Sequence, residues 1–231
     1  MTSIDDGHRD PGVLPPGVRT FKPRRSRITA RQLAALHEPR WVIAASDAPM
    51  YLTALFGPDV PVVLEIGFGT GDATADMASS DPSTGILAVD IHTPGVGNLL
   101  DLLDRADLTN VRVMEADGLL VLKRMTPTGA LAGVRSYFPD PWPKARHHKR
   151  RLVQPRVRDL VADRLRPGGF WHLATDWAEY AEAIRTCFAD DPRWTGGPIA
   201  RPSWRPETRY ERRALREGRD IIDLMFCTSD K

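Results

Sequence analysis

The chain has 231 residues, 42% of them hydrophobic and 27% charged, the balance of a globular protein large enough to bury a substantial core. Its formal net charge of +2 excludes any case for nucleic-acid binding from total charge, so such binding must rest on local clusters. No apolar run approaches the ~18 residues of a membrane span, no signal-peptide core opens the chain, and cysteines and histidines lack metal spacing, so the expectation is a cytoplasmic protein without metal.

Residues 1–18 are rich in proline, glycine and charge and show no periodicity, the composition of a disordered segment. A basic stretch follows, with Arg19, Lys22, Arg24, Arg25, Arg27 and Arg31 around Phe21 and Ile28. It is either a solvated tail or an arm that reaches phosphates, and residues 1–30 are grouped as this N-terminal arm. Residues 31–231 read as one domain that starts with a helical extension. Leu33, Leu36, Ile43, Leu52 and Leu55 are its candidate buried positions.

Residues 62–66 form a short apolar run broken only by Glu65, which reads as a strand buried on both faces. Gly67, Gly69 and Gly71 follow at alternate positions, then a helix from about Asp72, then a second strand over 86–89 ending on Asp90. Strand, glycine turn, helix and strand with a terminal acid form a nucleotide-binding βαβ unit. The spacing is G-x-G-x-G, not the G-x-G-x-x-G of dinucleotide sites, and Glu65 and Asp72 would repel a pyrophosphate. An adenosyl cofactor carrying a sulfonium and an ammonium tolerates both acids, and Asp90 is placed to accept from ribose hydroxyls. This pattern resembles motif I of class I S-adenosylmethionine-dependent methyltransferases.

Downstream, Pro94 starts a helix and residues 110–114 alternate as a third strand. Asp117 then either faces the adenine edge, caps the helix over 118–125, or does both. The fourth strand, 134–138, ends in Phe138-Pro139-Asp140-Pro141-Trp142-Pro143-Lys144, where prolines hold Asp140 rigidly at a carboxyl edge of the sheet. Lys144, Arg146, Lys149, Arg150 and Arg151 follow with two histidines, a candidate phosphate-binding surface. A helix over 155–165 ends at Pro167-Gly168-Gly169, and strand five, 170–174, leads to Asp176, a helix cap or a contact to the substrate base. Residues 190–206 read as an irregular connection, and 221–226 as the last strand.

The segments LEIGFGTG, HTPGVG, YFPDPWPKARHHKRR, LATDW and TRYE, in this order, closely resemble the bacterial tRNA (guanine-N7-)-methyltransferases of the TrmB type. The match runs from about Pro61 to Phe226. The resemblance implies a Rossmann-like α/β fold, with a mostly parallel seven-stranded sheet, one reversed C-terminal strand and helices on both faces. It also implies methyl transfer from S-adenosylmethionine to guanine N7 at position 46 of the tRNA variable loop. Glu65, Asp90, Asp117 and Asp140 fall on the family's cofactor positions beside the three glycines, and Asp140 on its active-site residue. Lys144, Asp176 and Thr208, Arg209, Tyr210 and Glu211 fall on substrate positions, and the 146–151 run on the RNA-contacting stretch. Asp90 stands where glutamate is frequent and Tyr210 where phenylalanine is also common.

Monomer and homodimer are both compatible with the sequence. The alternatives are a methyltransferase of another RNA base or a small amine, and a non-catalytic tRNA-binding protein on the same fold. The 144–151 cluster argues against a small amine, and the intact Glu65, glycines, Asp90 and Asp140 against a vestigial site.

Overall fold

The structure, a computed structural model, describes residue 20 and residues 29–36 and 40–229. The arm residues 1–19 and 21–28 therefore lie outside the described residues. The first strand β1 (Val62–Ile66) is followed by α3 (Asp72–Ser80), after two short helices, α1 (Ala30–Ala35) and α2 (Leu52–Phe56). Then come β2 (Gly85–Asp90), α4 (Thr93–Arg105), β3 (Val111–Glu115), α5 (Gly118–Leu120), β4 (Leu131–Tyr137) and α6 (Pro155–Arg164). The chain closes with β5 (Leu165–Thr175), α7 (Ala178–Ala189), β6 (Trp194–Ile199), α8 (Arg209–Arg216) and β7 (Ile222–Thr228).

The seven strands form one sheet of order β3-β2-β1-β4-β5-β7-β6. Neighbours from β3 through β5 pair in parallel, and β7 runs antiparallel to both β5 and β6, so the reversed strand is where it was expected. Alternate residues of β2 divide between two cores. Leu87 and Val89 pack with Val157, Val161, Tyr180 and Ile184 of α6 and α7, while Ile86 and Ala88 pack with Met77 of α3 and Leu99, Leu100 and Leu103 of α4. The strand order reverses between β1 and β4, and the crevice at such a switch point is where open α/β sheets bind ligands.

Several boundaries differ from the sequence reading, each for a physical reason. The 190–206 connection contains β6, an edge strand paired only with β7, whose Gly196-Gly197-Pro198 hides any alternation. A Cβ on Gly196 would lie 2.1 Å from the Met225 carbonyl oxygen, so β6 approaches β7 too closely for a side chain there. Pro167-Gly168-Gly169 lies within β5, in the register shift that takes pairing from Leu131–Leu165 to Gly133–Phe170. The 118–125 helix is a single α turn, α5, continued as a π-helical turn over Val121–Met125. The N-terminal extension is not all helical: Val42 bridges Val113 in parallel and covers the β3 edge, with Trp41 buried behind it. Leu52 is buried there, Leu36, Ile43 and Leu55 are half-buried, and Leu33 is exposed.

Candidate active site

After β1 the backbone turns through Gly67, Gly69 and Gly71 at φ 81°, 66° and 80°, and α3 begins. The turn is pinned from β2: Asp90 Oδ2 accepts from the Gly69 N–H at 2.7 Å and Oδ1 from the His92 N–H at 2.9 Å. A methyl group on Gly71 would meet Leu99 Cβ at 2.5 Å, so this glycine sets the contact between turn and α4. Gly95 in α4 packs so closely that its Cβ would lie 1.9 Å from the Gly69 carbonyl oxygen. The HTPGVG segment is thus the other half of the glycine turn, a role that the sequence reading missed.

Glu65 is buried on β1, next to Arg135 in the β4 register. Burial raises its pKa from 4.5 to about 7, against a lowering by the Arg135 guanidinium. Glu65 Oε2 and Thr74 Oγ1 make no hydrogen bond of normal geometry among the described residues, although the Thr74 hydroxyl is close enough to lower the Glu65 pKa somewhat. An unpaired buried carboxyl oxygen is costly unless a ligand donor reaches it.

The segment after β4 is held from several sides. Phe138 and Trp142 adopt left-handed backbone, φ 54° and 45°, which non-glycine residues seldom take and which clusters at functional sites. The Phe138 N–H donates to the Ala174 carbonyl at 2.7 Å, and Trp142 is buried with Nε1 donating to the Thr20 carbonyl at 3.2 Å. Arg151 donates to the Pro141 carbonyl at 2.8 Å and forks onto Glu179, with Nη1 at 3.0 Å from Oε1. The cationic run therefore divides. Lys144, Arg146 and Lys149 are exposed, Arg150 lies 4.9 Å over the Trp142 ring, and Arg151 is buried as an internal strut.

The fourth side is α8, with Thr208 as its N-cap, accepting from the Glu211 N–H at 3.1 Å. Glu211 is buried, and its carboxylate takes Arg205 Nη1 at 2.6 Å, while Arg205 Nε reaches Asp223 of β7 at 2.7 Å. Arg205 is itself buried, so one guanidinium ties α8 to the sheet. Asp223 also accepts from His172 Nε2 at 2.9 Å, and the Tyr137 hydroxyl lies 3.0 Å from His172 Nδ1. Burial pushes the His172 pKa down, so its neutral ring donates from Nε2 and accepts at Nδ1 from Tyr137. Thus Thr208 and Glu211 position α8, while Tyr210 projects from it, stacked near Phe138.

The glycine turn, the segment after β3, the loop after β4 and α8 enclose a cavity of about 750 Å³ at the switch point. Ile66, Gly67, Gly69, Thr70, Val89, Asp90, Ile91 and His92 line one side, and Ala116, Asp117, Gly118 and Leu119 another. Tyr137, Phe138, Pro139, Asp140, Leu152, Arg209, Tyr210, Arg213 and Thr20 complete it. Asp117 caps α5 through Leu119 N–H (2.9 Å), and it also lines the cavity. Gly71, Glu65, Lys144, Asp176 and Glu211 do not line it. Asp176 caps no helix either: α7 has no side-chain cap, and Asp176 lies 3.0 Å from Arg219 Nε. Arg213 and Tyr137 are cavity residues that the motifs did not single out. The helical spacing from Arg209 was the available signal for Arg213, and the YFPDPWPKARHHKRR motif, which Tyr137 opens, was the signal for Tyr137.

A methyltransferase family model, Methyltransf_4, matches residues 59–224. The tRNA (guanine-N(7)-)-methyltransferase of Streptomyces avermitilis is 52% identical over 90% of this chain and 74% of its own. Its namesake in Chromohalobacter salexigens is 41% identical over 94% and 92%. Among solved structures, an rRNA methylase from Streptococcus thermophilus superposes at TM-score 0.51 with 15% identity, over 77% of this chain and 92% of that one, which shows a shared fold. A 16S rRNA methyltransferase reaches 0.52 at 18% identity, over 77% and 91%. With relatives of one name aligned across nearly the whole chain, and with the glycine turn and the Phe138–Lys144 loop meeting at one cavity, this chain belongs to the tRNA (guanine-N7-)-methyltransferase family.

Proposed function

We infer that this protein is a tRNA (guanine-N7-)-methyltransferase that uses S-adenosylmethionine and forms N7-methylguanosine at position 46 of the variable loop. The observation that carries this is the 41–52% identity to enzymes of that name over nine-tenths of the chain or more, together with the cavity at the switch point. The residues present fit the cofactor. A cavity of about 750 Å³ is in the range of small-molecule sites. Asp90, in the cavity wall, suits hydroxyl donors, while Glu65, next to the lining residue Ile66, is buried outside the lining with no partner for Oε2 among the described residues.

When bound, S-adenosylmethionine supplies an activated methyl group. Gly67, Gly69 and Asp90 are assigned to its adenosyl part, and Asp117 to the adenine edge. Guanine N7 carries a free lone pair at neutral pH, so no base need remove a proton before attack. The chain's task is to hold N7 in line, an effect worth up to ~7–11 kcal/mol in favourable cases. Asp140, rigid between two prolines, is assigned to the guanine: its carboxylate accepts from the N1–H or the exocyclic N2 amine and stabilises the positive charge that grows on the base. Tyr210 and Phe138 shield the reacting atoms from water, while Lys144, Arg146 and Lys149 are assigned to tRNA phosphates.

The test is label transfer from S-adenosylmethionine to unmodified tRNA transcripts bearing guanine or adenine at position 46. Label on the guanine transcript alone supports the assignment. Label on neither, with cofactor binding demonstrated, contradicts it.

A further inference from the structure

Helix α8 carries a second basic surface, of which the sequence motifs assign only Arg209. Arg209, Arg212, Arg213 and Arg216 recur at i, i+3, i+4 and i+7. At 3.6 residues per turn they fall within an arc of about 100°, opposite the buried Glu211 and Ala214. All four are exposed and, with Glu217, they line a groove of about 400 Å³. Arg209 and Arg213 line both this groove and the active-site cavity, so the two are continuous.

The groove is electrostatically unbalanced. Glu217 accepts from Arg213 Nε at 2.7 Å and is shared with Arg219 at 2.8 Å, while Glu207 lies 3.9 Å from Arg212. Arg216 Nε turns back onto the Arg212 carbonyl at 3.1 Å. Two carboxylates thus serve four guanidinium groups on one face, and like charges three and four residues apart weaken a helix. Packing does not require the four arginines, since α8 is fixed from its other face by Arg205.

We propose that this arginine groove binds the tRNA phosphodiester backbone next to the target nucleotide. A base held in the cavity carries its flanking phosphates to the cavity's edge. The groove offers them guanidinium forks over ~10 Å of helix, the rise of seven residues, which is enough for more than one phosphate. The groove thus takes backbone on the α8 side, separately from Lys144, Arg146 and Lys149 of the segment after β4. This inference rests on the assignment of tRNA as substrate.

The test removes the two groove arginines that lie outside the cavity, in an R212Q/R216Q variant of the full chain. A control, R105Q/R185Q, takes the same charge from α4 and α7; among the described residues those arginines pair with Asp101 and Glu182 of their own helices. The groove variant is expected to bind tRNA at least tenfold more weakly. Its slope of log affinity against log salt should be shallower by about two units, roughly one per lost phosphate contact. S-adenosylmethionine affinity and the single-turnover rate at saturating tRNA should match wild type, and the control should match wild type throughout. Wild-type tRNA affinity and salt slope in the groove variant would overturn the proposal, as would an equal loss in the control. If the wild-type enzyme transfers no label to tRNA, the substrate assignment fails instead.

Discussion

Phe138, at the end of β4, and Tyr210, in the first turn of α8, face each other with ring planes 23° apart and centroids 6.5 Å apart. They join the loop that carries Asp140 to the helix that closes the cavity, and Tyr210 also lies beside the glycine turn, 3.6 Å from where a Cβ of Gly69 would be. Such an aromatic pair is worth ~0.5–1.5 kcal/mol, or about two- to tenfold in affinity. Tyr210→Ala should weaken S-adenosylmethionine binding by that factor in calorimetric titration, and Tyr210→Phe, which keeps the ring, should stay close to wild type. Unchanged affinity in the alanine variant would remove Tyr210 from the cavity's closure.

Arg205 holds α8 through Glu211 and Asp223, both buried. Breaking a buried pair from one side leaves charges without a partner and typically costs ~3–5 kcal/mol. Arg205→Met should therefore lower the urea midpoint strongly. Arg205→Lys, which keeps the charge but not the fork, should fall between the two. A methionine variant as stable as wild type would mean that α8 is held by other contacts.

Gly95 and Gly97 separate two uses of one helix turn. A methyl on Gly95 would press on the Gly69 carbonyl at 1.9 Å, whereas one on Gly97 would press on Gln32 of α1, 2.7 Å from its Cβ. Overpacking of this kind costs ~1–3 kcal/mol. Both alanine variants should lose stability, but only Gly95→Ala should also lose cofactor affinity, because it displaces the turn. Equal cofactor affinity in the two would argue against this division.

Glu65 makes stability depend on pH. Its folded pKa, about 7, stands above the ordinary 4.5, so between these values the folded protein keeps a proton that the unfolded chain has released. Stability contributed by the protonated acid is full below about 4.5 and lost as pH rises through about 7. The total is on the order of 3 kcal/mol, at ~1.4 kcal/mol per pKa unit. Glu65→Gln lacks this loss, so its stability relative to wild type should improve from pH 5 to pH 8 in cofactor-free urea titrations. A difference that does not vary with pH would contradict the buried, protonated Glu65.

What was legible in the sequence is local. The βαβ unit could be read because an apolar run, glycines and a terminal acid lie within thirty residues, and Asp90 turned out to pin the turn it follows. β6 escaped because Gly196-Gly197-Pro198 has no alternation and becomes a strand only by pairing with β7. The Arg205 clasp escaped because its partners lie 6 and 18 residues away with no periodic signal. Nor could the resemblance or the cationic run show that burial directs Glu211 and Arg151 to internal partners. Charge runs show which residues are cations, but not which of them face solvent.

The most direct measurement is strand scission by borohydride and aniline, which cleave at N7-methylguanine, on a tRNA transcript methylated by the enzyme. Scission at position 46, dependent on enzyme and on S-adenosylmethionine, is the expected result. Methylation of the transcript without scission at that nucleotide would contradict guanine N7 as the target atom.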